Sequence, residues 1–292
     1  MISVCVTVYK FPVQELIDGL ISQAEALNIE YEILIGDDSP QKTQLKPAKN
    51  VLYFHNSPAL KRSANRNFLA SKAKYKYLLF IDGDAKIENG SFLKNYLNEI
   101  KTNAKIVCGG TLYSEKCPSK DKKLHWKYGK FVESKPAVLR SKTPYSSFTS
   151  FNFLIEKEIF LNIKFNEKLT EYGHEDTIFG FELERQGVEV NHIDNQLIHS
   201  GVETNDVFVR KSLKAVENLI FISNNIDGNI RQKVRLFAFY EKIKHNAFLF
   251  FVLKFTNLLF YNTVKKMTVN LSNLRLFALL KLLHLHKNVI LD

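Results

Sequence analysis

Asp82 and Asp84 follow an unbroken apolar run, Tyr77-Leu78-Leu79-Phe80-Ile81, and are separated by Gly83 alone. In extended backbone, residues two apart project to the same side, so both carboxylates can face one ion, with no side chain on Gly83 to intervene. Two hard oxygen donors beside one or two phosphates suit Mg²⁺ or Mn²⁺. A second acidic pair, Asp37-Asp38, follows the strand-like run 31–36. Fixed carboxylates there could accept hydrogen bonds from the N–H of a uracil ring or from ribose hydroxyls. Between the two pairs, Arg62 and Arg66 stand four apart in a helix-forming stretch and share a face. Their forked donors match a diphosphate. Ser150 and Asn152 begin another apolar run. Each feature also has a plainer reading as a strand-ending turn, a solvated basic face or a polar strand edge; their joint occurrence favours the chemical one.

These residues need a scaffold that brings strand ends together, and the pattern supplies one. Residues 2–9 form a β-branched strand and 12–27 an amphipathic helix; strands follow at 31–36 and 51–54, a basic helix at 59–72 and a strand at 77–82. A helix from Ser91 to about 102, strands at 105–110 and 151–155, a helix at 176–186, a strand at 188–193 and a helix at 206–224 complete the body. Residues 112–147 show no period and read as a loop-rich insertion. The alternation predicts an α/β fold, a doubly wound and mostly parallel sheet flanked by helices. An apolar run without alternation suits a strand covered on both faces. Ligands of such sheets collect at the carboxyl ends of the strands, where Asp37, Asp38, Asp82 and Asp84 fall.

The chain has 292 residues and a formal net charge of +11. From Arg231 onward there are eleven Lys and Arg against Glu241 and Asp292, so nearly all the excess charge sits in the last fifth. The expected division is a body at 1–225 and a basic, aromatic-rich helical tail at 226–292. Lys254, Thr256 and Asn257 interrupt the apolar stretch 247–261 near its middle, which favours helices lying in the interface of an anionic membrane over a spanning helix. A helical appendage packed on protein is the other reading. Nucleic acid is not expected as a partner, because the bases are embedded among large apolar residues. Residues 1–9 carry no basic n-region or cleavage site, and Cys5, Cys108 and Cys117 have no metal-ligand spacing. Both point to a reducing, cytoplasmic setting on the inner face of the membrane.

In order, Val6-Thr7-Val8-Tyr9, Asp37-Asp38-Ser39, Ala64-Asn65-Arg66-Asn67, Phe80-Ile81-Asp82-Gly83-Asp84 and Gly173-His174-Glu175-Asp176 resemble family 2 glycosyltransferases of the GT-A, nucleotide-diphospho-sugar transferase fold, over about residues 2–222. Asn65 and His174 depart from the usual residues at their positions. The resemblance implies a metal-dependent enzyme that moves a sugar, with inversion, from a UDP-sugar or similar donor to a hydroxyl of a glycan or lipid-linked glycan in cell-surface polysaccharide synthesis. It implies that Thr7, Tyr9, Asp37, Asp38, Arg62, Arg66, Asp82 and Asn152 surround the nucleotide sugar. Asp84 and His199 would be metal ligands for Mn²⁺ or Mg²⁺, Asp176 the general base, and Glu175 a contact to acceptor or donor sugar. A nucleotidyltransferase or dehydrogenase would want a glycine-rich loop after the first strand, and Tyr9-Lys10-Phe11-Pro12 offers none. A scaffold that keeps the fold without catalysis, as a membrane-associated binding protein, is the alternative.

Overall fold

The computed structural model describes residues 1–289; the last three residues of the expected tail lie outside the described residues. In chain order the elements are β1 (Ile2–Val8), α1 (Gln14–Ala26), β2 (Tyr31–Asp37), β3 (Val51–His55), α2 (Arg62–Lys72), β4 (Tyr77–Asp82), β5 (Ala85–Lys86), α3 (Phe92–Lys101), β6 (Ile106–Cys108) and β7 (Thr111–Leu112). They continue as α4 (Lys123–Tyr128), α5 (Ala137–Arg140), β8 (Asn152–Glu156), α6 (Lys157–Ile163), α7 (Glu175–Arg185), β9 (Asn191–His192), β10 (Leu197–His199), α8 (Asn205–Asn225), α9 (Ile230–Lys233), α10 (Arg235–Lys244), α11 (Ala247–Leu271) and α12 (Leu274–Val289).

A seven-stranded sheet runs β3-β2-β1-β4-β8-β6-β9, parallel throughout except for β8, which is antiparallel to both β4 and β6. This is the mostly parallel α/β sheet that the alternation predicts. Its β-branched strands are buried on both faces. Val4, Val6 and Val8 pack with Leu16 and Leu20 of α1 on one side, while Cys5 joins Phe80, Phe153 and Phe160 on the other. Phe80 stacks on Phe153 and Phe160 with ring centroids 4.9 and 4.8 Å apart. The parallel register sets Val8 opposite Asp37 and Thr7 opposite Asp82, which brings two acidic strand ends to either side of the end of β1.

A second sheet, β5-β10-β7, lies outside the sequence expectation. Its strands are two or three residues long, too short to leave a periodic signature. The expected strand at 188–193 contracts to β9. The expected loop at 112–147 contains α4, a π-helical turn at Gly129–Glu133 and α5. Arg140 at the end of α5 explains how this aperiodic segment holds to the sheet. Its guanidinium is buried, and it donates to the carbonyls of Cys108 (3.0 Å), Gly109 (3.2 Å) and Ile193 (2.6 Å) and to His192 Nδ1 (2.8 Å). His192 in turn donates from Nε2 to Pro144 O at 2.9 Å. Burial and the adjacent guanidinium keep its pKa below the ordinary imidazole value, against the Pro144 hydrogen bond, so the neutral tautomer fits both partners.

The chain forms two compact units: 1–115, 129–170 and 175–201 make one, while 116–128, 171–174 and the described residues from 202 onward make the other. This division differs from a cut at 225, because α8 belongs with the tail helices. In that second unit Glu217 of α8 pairs with His284 of α12 at 3.0 Å, and His284 also meets the Tyr261 hydroxyl of α11 at 2.6 Å. Phe277, Leu280 and Leu283 on α12 are fully buried. α11 is 25 residues long, and by length and composition it is apolar enough to cross a membrane, yet Phe248, Phe251, Phe255 and Leu258 are exposed.

Replacing Arg140 tests its role in the first unit. Arg140→Met strands several buried carbonyls and should cost about 3–5 kcal/mol, the scale for breaking a buried charged network. Arg140→Lys should recover less than half, because an ammonium lacks the planar fork. Chemical denaturation reads both. Acidification through the ordinary imidazole range should lower wild-type stability as His192, whose folded pKa is depressed, is forced to take up a proton.

Candidate active site

The site is built where β1, β2 and β4 end together. Asp82 closes β4, and its Oδ1 accepts hydrogen bonds from Thr7 Oγ1 at 3.0 Å and Arg66 Nη2 at 2.5 Å. Gly83 N–H donates to Thr7 O at 2.8 Å and fixes the turn that follows. Thr7 therefore acts through Asp82. Arg66 is carried by α2, whose start is held by Asn65, which donates to Gly36 O at 2.9 Å. Although only 1% exposed, Arg66 leaves Nε and Nη1 without a hydrogen-bond partner among the described residues. Its guanidinium lies 5.3 Å from the Phe165 ring centroid. A buried arginine with two unused donors is costly unless an anion completes it.

Asp84 lies one turn further, just before β5. Because β5 pairs antiparallel with β10, Ala85 faces His199, and His199 Nε2 comes 3.3 Å from Asp84 Oδ2. Ser200 N–H donates to Asp84 O at 2.9 Å, and a Cβ at Gly201 would lie only 2.2 Å from Asp84 Oδ2, so this approach needs glycine. Burial by itself would raise the Asp84 pKa; the hydrogen bond and charge of His199 outweigh it and leave the carboxyl below its ordinary value. His199 answers in reverse: burial pulls its pKa down, and Asp84 more than restores it upward. The rings of Tyr113 and Phe151 stand 5.2 and 5.4 Å from that of His199. One carboxylate oxygen and one imidazole nitrogen in such proximity suit Mn²⁺. No group of three or more His, Cys, Asp or Glu side chains gathers to hold a metal among the described residues, so further donors would have to come from a ligand or water.

Glu175 and Asp176 open α7, where acidic side chains meet exposed N–H groups. Asp176 accepts a hydrogen bond from Thr177 N–H at 2.8 Å. Its pKa is pushed up to about 7, first by loss of solvent and then by the neighbouring Glu175 charge; the Thr177 N–H and the Arg66 charge oppose the rise. Glu175 lies 3.9 Å from Arg62.

Two expectations change. Asp37 is wholly buried, and its oxygens accept from Ser39 N–H (2.8 Å), Thr43 N–H (3.0 Å), Thr43 Oγ1 (2.6 Å) and the Tyr53 hydroxyl (2.7 Å). Burial pulls its pKa up, but these bonds override it and hold the carboxyl down at about 2. Asp37 thus shapes the loop after β2. Asn152 is likewise fully buried. Its Oδ1 accepts from the Tyr96 hydroxyl at 2.6 Å, and its Nδ2 donates to Asn195 O at 2.8 Å and Gly110 O at 3.3 Å. That leaves it bracing the sheet instead of lining a sugar pocket. Asp38 is different: Oδ1 accepts from Asn56 Nδ2 (2.9 Å) and Leu60 N–H (3.2 Å), while Oδ2 makes no hydrogen bond among the described residues. Tyr9 is exposed at the end of β1, with Lys10 Nζ 5.2 Å from its ring centroid. Sequence reasoning missed Phe165, Tyr113 and Phe151, whose rings line Arg66 and His199; nothing in their spacing marks them.

The family model for glycosyl transferase family 2 matches residues 3–170, more than half of the chain. Among solved structures, a mannosyltransferase from Pyrobaculum calidifontis, PcManGT, described in complex with GDP-Man and Mn²⁺, aligns with a TM-score of 0.61 at 10% identity, covering 99% of this chain and 86% of its own. S. aureus TarS aligns with a TM-score of 0.48 at 16% identity, covering 85% of this chain. The chain spans 44% of TarS. A shorter TarS structure, residues 1–349 in complex with UDP-GlcNAc, aligns at 14% identity with a TM-score of 0.46, covering 99% of this chain and 91% of its own. No curated protein matches the chain significantly. At 10% identity PcManGT speaks to the fold alone, and the family match supplies the rest: the chain belongs to glycosyl transferase family 2.

Proposed function

We propose that the enzyme transfers a sugar, with inversion and in the presence of a divalent metal, from a nucleoside-diphosphate sugar to a hydroxyl of a glycan or lipid-linked glycan in cell-surface polysaccharide synthesis. The observation that carries this reading is a divided set of charges at one sheet edge: an arginine with unused donors, an Asp–His pair, and a carboxyl of raised pKa. Arg66 Nε and Nη1 supply donors for the diphosphate, and Asp82 orients that guanidinium. Asp84 and His199 would hold Mn²⁺ or Mg²⁺, which when bound offsets the charge of the departing diphosphate. Asp38 and the adjoining loop receive the nucleobase and ribose, and Arg62 stands beside Glu175 near the acceptor side. Asp176, ionised, takes the proton of the acceptor hydroxyl as that oxygen attacks the anomeric carbon. A UDP-sugar is the first donor to test. A GDP-sugar is the second, because a single carboxylate oxygen pair can also receive the guanine N–H edge and PcManGT is described with GDP-Man.

The location follows from the tail. α11 exposes Phe248, Phe251, Phe255 and Leu258, with Lys242 and Lys244 before this face and Lys265 and Lys266 after it, all exposed. Apolar surface between bases suits the interface of an anionic inner leaflet. The Asn257 Nδ2 donation to Leu283 O at 2.5 Å keeps one side of α11 on α12, and the exposed Lys254 interrupts its apolar run, against a simple span.

Asp84→Ala should abolish Mn²⁺-dependent binding of UDP while leaving the melting temperature within a few degrees, since a strand-end carboxylate contributes little packing. His199→Ala should weaken metal binding about 10- to 100-fold. Calorimetric titration decides both, and unchanged metal dependence in Asp84→Ala removes the ligand assignment.

Asp176→Asn keeps the helix-opening shape yet cannot accept a proton. Donor binding should persist, and turnover should fall about 10²–10⁴-fold. In the wild type, kcat/KM should drop tenfold per pH unit on the acid side of a limb near 7, where Asp176 becomes protonated. A flat profile from pH 5 to 8 contradicts this role.

Replacing Lys242, Lys244, Lys265 and Lys266 with Gln should release the protein from anionic vesicles, each base contributing about 1 kcal/mol near such a surface. High salt should weaken wild-type binding in the same direction. Sedimentation with phosphatidylserine vesicles reads the result, and binding indifferent to charge and salt excludes the interfacial reading.

A further inference from the structure

His199 lies on β10, the middle strand of the small sheet β5-β10-β7, and is flanked from both sides. On the antiparallel side it pairs with Ala85, next to Asp84. On the parallel side Ile198 pairs with Leu112, so the chain leaving β7 carries Tyr113 beside His199. The Tyr113 ring is buried, with 6% exposure, and its centroid stands 5.2 Å from that of the imidazole. β7 is two residues long and gives little hold on a side chain beyond its end.

The π-helical turn Gly129–Glu133 supplies that hold at two points. The first is steric: the ring rests on the Gly129 backbone, where a Cβ would come 2.1 Å from Tyr113 Cζ, so this approach needs glycine. The second is polar: the Tyr113 hydroxyl donates to Glu133 Oε2 at 2.5 Å, a bond strengthened by the carboxylate charge. Ser134 N–H closes the turn on Gly129 O at 2.8 Å. Lys130 Nζ reaches Glu115 Oε2 at 2.8 Å, but Glu115 is exposed and such a surface pair adds little. Glu133 is itself exposed and adds little to the core; what its carboxylate fixes is the tilt of a buried ring that borders His199. Phe151, the other ring beside His199 at 5.4 Å, has no polar group to anchor. All these residues belong to one compact unit.

We infer that Glu133 is a positioning residue for the metal site: through the Tyr113 hydroxyl it holds that ring against His199, and the wall so formed keeps Nε2 turned toward Asp84. This rests on His199 being a metal ligand. Partners that orient metal-bound histidines are typically worth about 10- to 100-fold in affinity. Here the orienting contact is one ring removed, which places the expected effect at or below the lower end. Glu133 touches neither metal nor nucleotide in this scheme, so its loss should weaken the metal and spare metal-free nucleotide binding.

Calorimetric titration of Mn²⁺ into the full chain with saturating UDP tests this in Glu133→Ala, Glu133→Gln and Tyr113→Phe. Glu133→Ala should raise the Mn²⁺ Kd about 3- to 10-fold, while UDP affinity in EDTA stays within about twofold. Tyr113→Phe keeps the ring and loses the hydroxyl, so it should match Glu133→Ala. The double variant should be no worse than either alone, because both break one bond. Glu133→Gln retains a neutral acceptor and should recover part of the loss. In a His199→Ala background, Glu133→Ala should have no further effect. Unchanged Mn²⁺ affinity in His199→Ala defeats the ligand assignment itself, whatever Glu133 does. Given a weakened His199→Ala, four results overturn the present inference: an unchanged Mn²⁺ Kd in Glu133→Ala, losses in Glu133→Ala and Tyr113→Phe that add, a parallel loss of UDP affinity in EDTA, or an equal loss in both backgrounds. Should Glu133→Ala fail to fold, Tyr113→Phe carries the comparison alone. A raised Mn²⁺ Kd in that variant supports the inference, and an unchanged one overturns it.

Discussion

Like charges crowd one edge of a dry sheet, and the way each is compensated governs the rest of the site. Asp37, Asp38, Asp82 and Asp84 all lie at or just beyond the ends of β2 and β4, which flank β1 in one register. Carboxylates left together in a medium of low dielectric would repel strongly and take up protons. Each is answered differently. Asp37 is held as the carboxylate by hydroxyl and N–H donors, Asp38 accepts from Asn56 and the Leu60 N–H, Asp82 pairs with Arg66, and Asp84 with His199. At Asp176 loss of solvent, and then the Glu175 charge, outweigh the Thr177 N–H and the Arg66 charge, and its pKa rises. A general base at neutral pH needs a value in that region. The compensation thus leaves the carboxylates in different states, which is the basis of the separate roles proposed for them.

Much of this was legible in the chain. The unbroken apolar runs gave the parallel strands, and Asp82 and Asp84 after one of them marked the functional edge. The fates of Asp37 and Asn152 were not legible, because their partners are distant in sequence: Tyr53 and Thr43 for the first, Tyr96, Gly110 and Asn195 for the second. An acidic residue after a strand looks the same whether its lone pairs face a ligand or its own loop. The small sheet that delivers His199 to Asp84 escaped for another reason, since strands of two or three residues carry no period. Arg140 was equally silent: four of its acceptors are backbone carbonyls, which every residue has.

The family match ends at residue 170, so Asp176 and His199 lie beyond it, and their proposed roles come from the resemblance at 173–176 and from the surroundings of each side chain. His199 is the stronger case. Its approach to Asp84 needs the antiparallel pairing of β5 with β10 and the absence of a side chain on Gly201, two independent constraints that converge on one contact. The second unit is organised differently. α8 joins the tail helices through Glu217 and His284, so a helix that reads from sequence as the last element of the body packs with the tail instead.

The central claim is that Asp84 and His199 form half of a metal site that a diphosphate completes. Pulsed electron paramagnetic resonance of Mn²⁺ bound to the protein with UDP tests it directly, because a coordinated imidazole leaves a ¹⁴N modulation on the electron spin echo. The account predicts that modulation in the ternary sample, its loss in His199→Ala, and little protein-bound Mn²⁺ when UDP is omitted. Tight Mn²⁺ binding without nucleotide, or a ternary signal lacking nitrogen coupling, would contradict it.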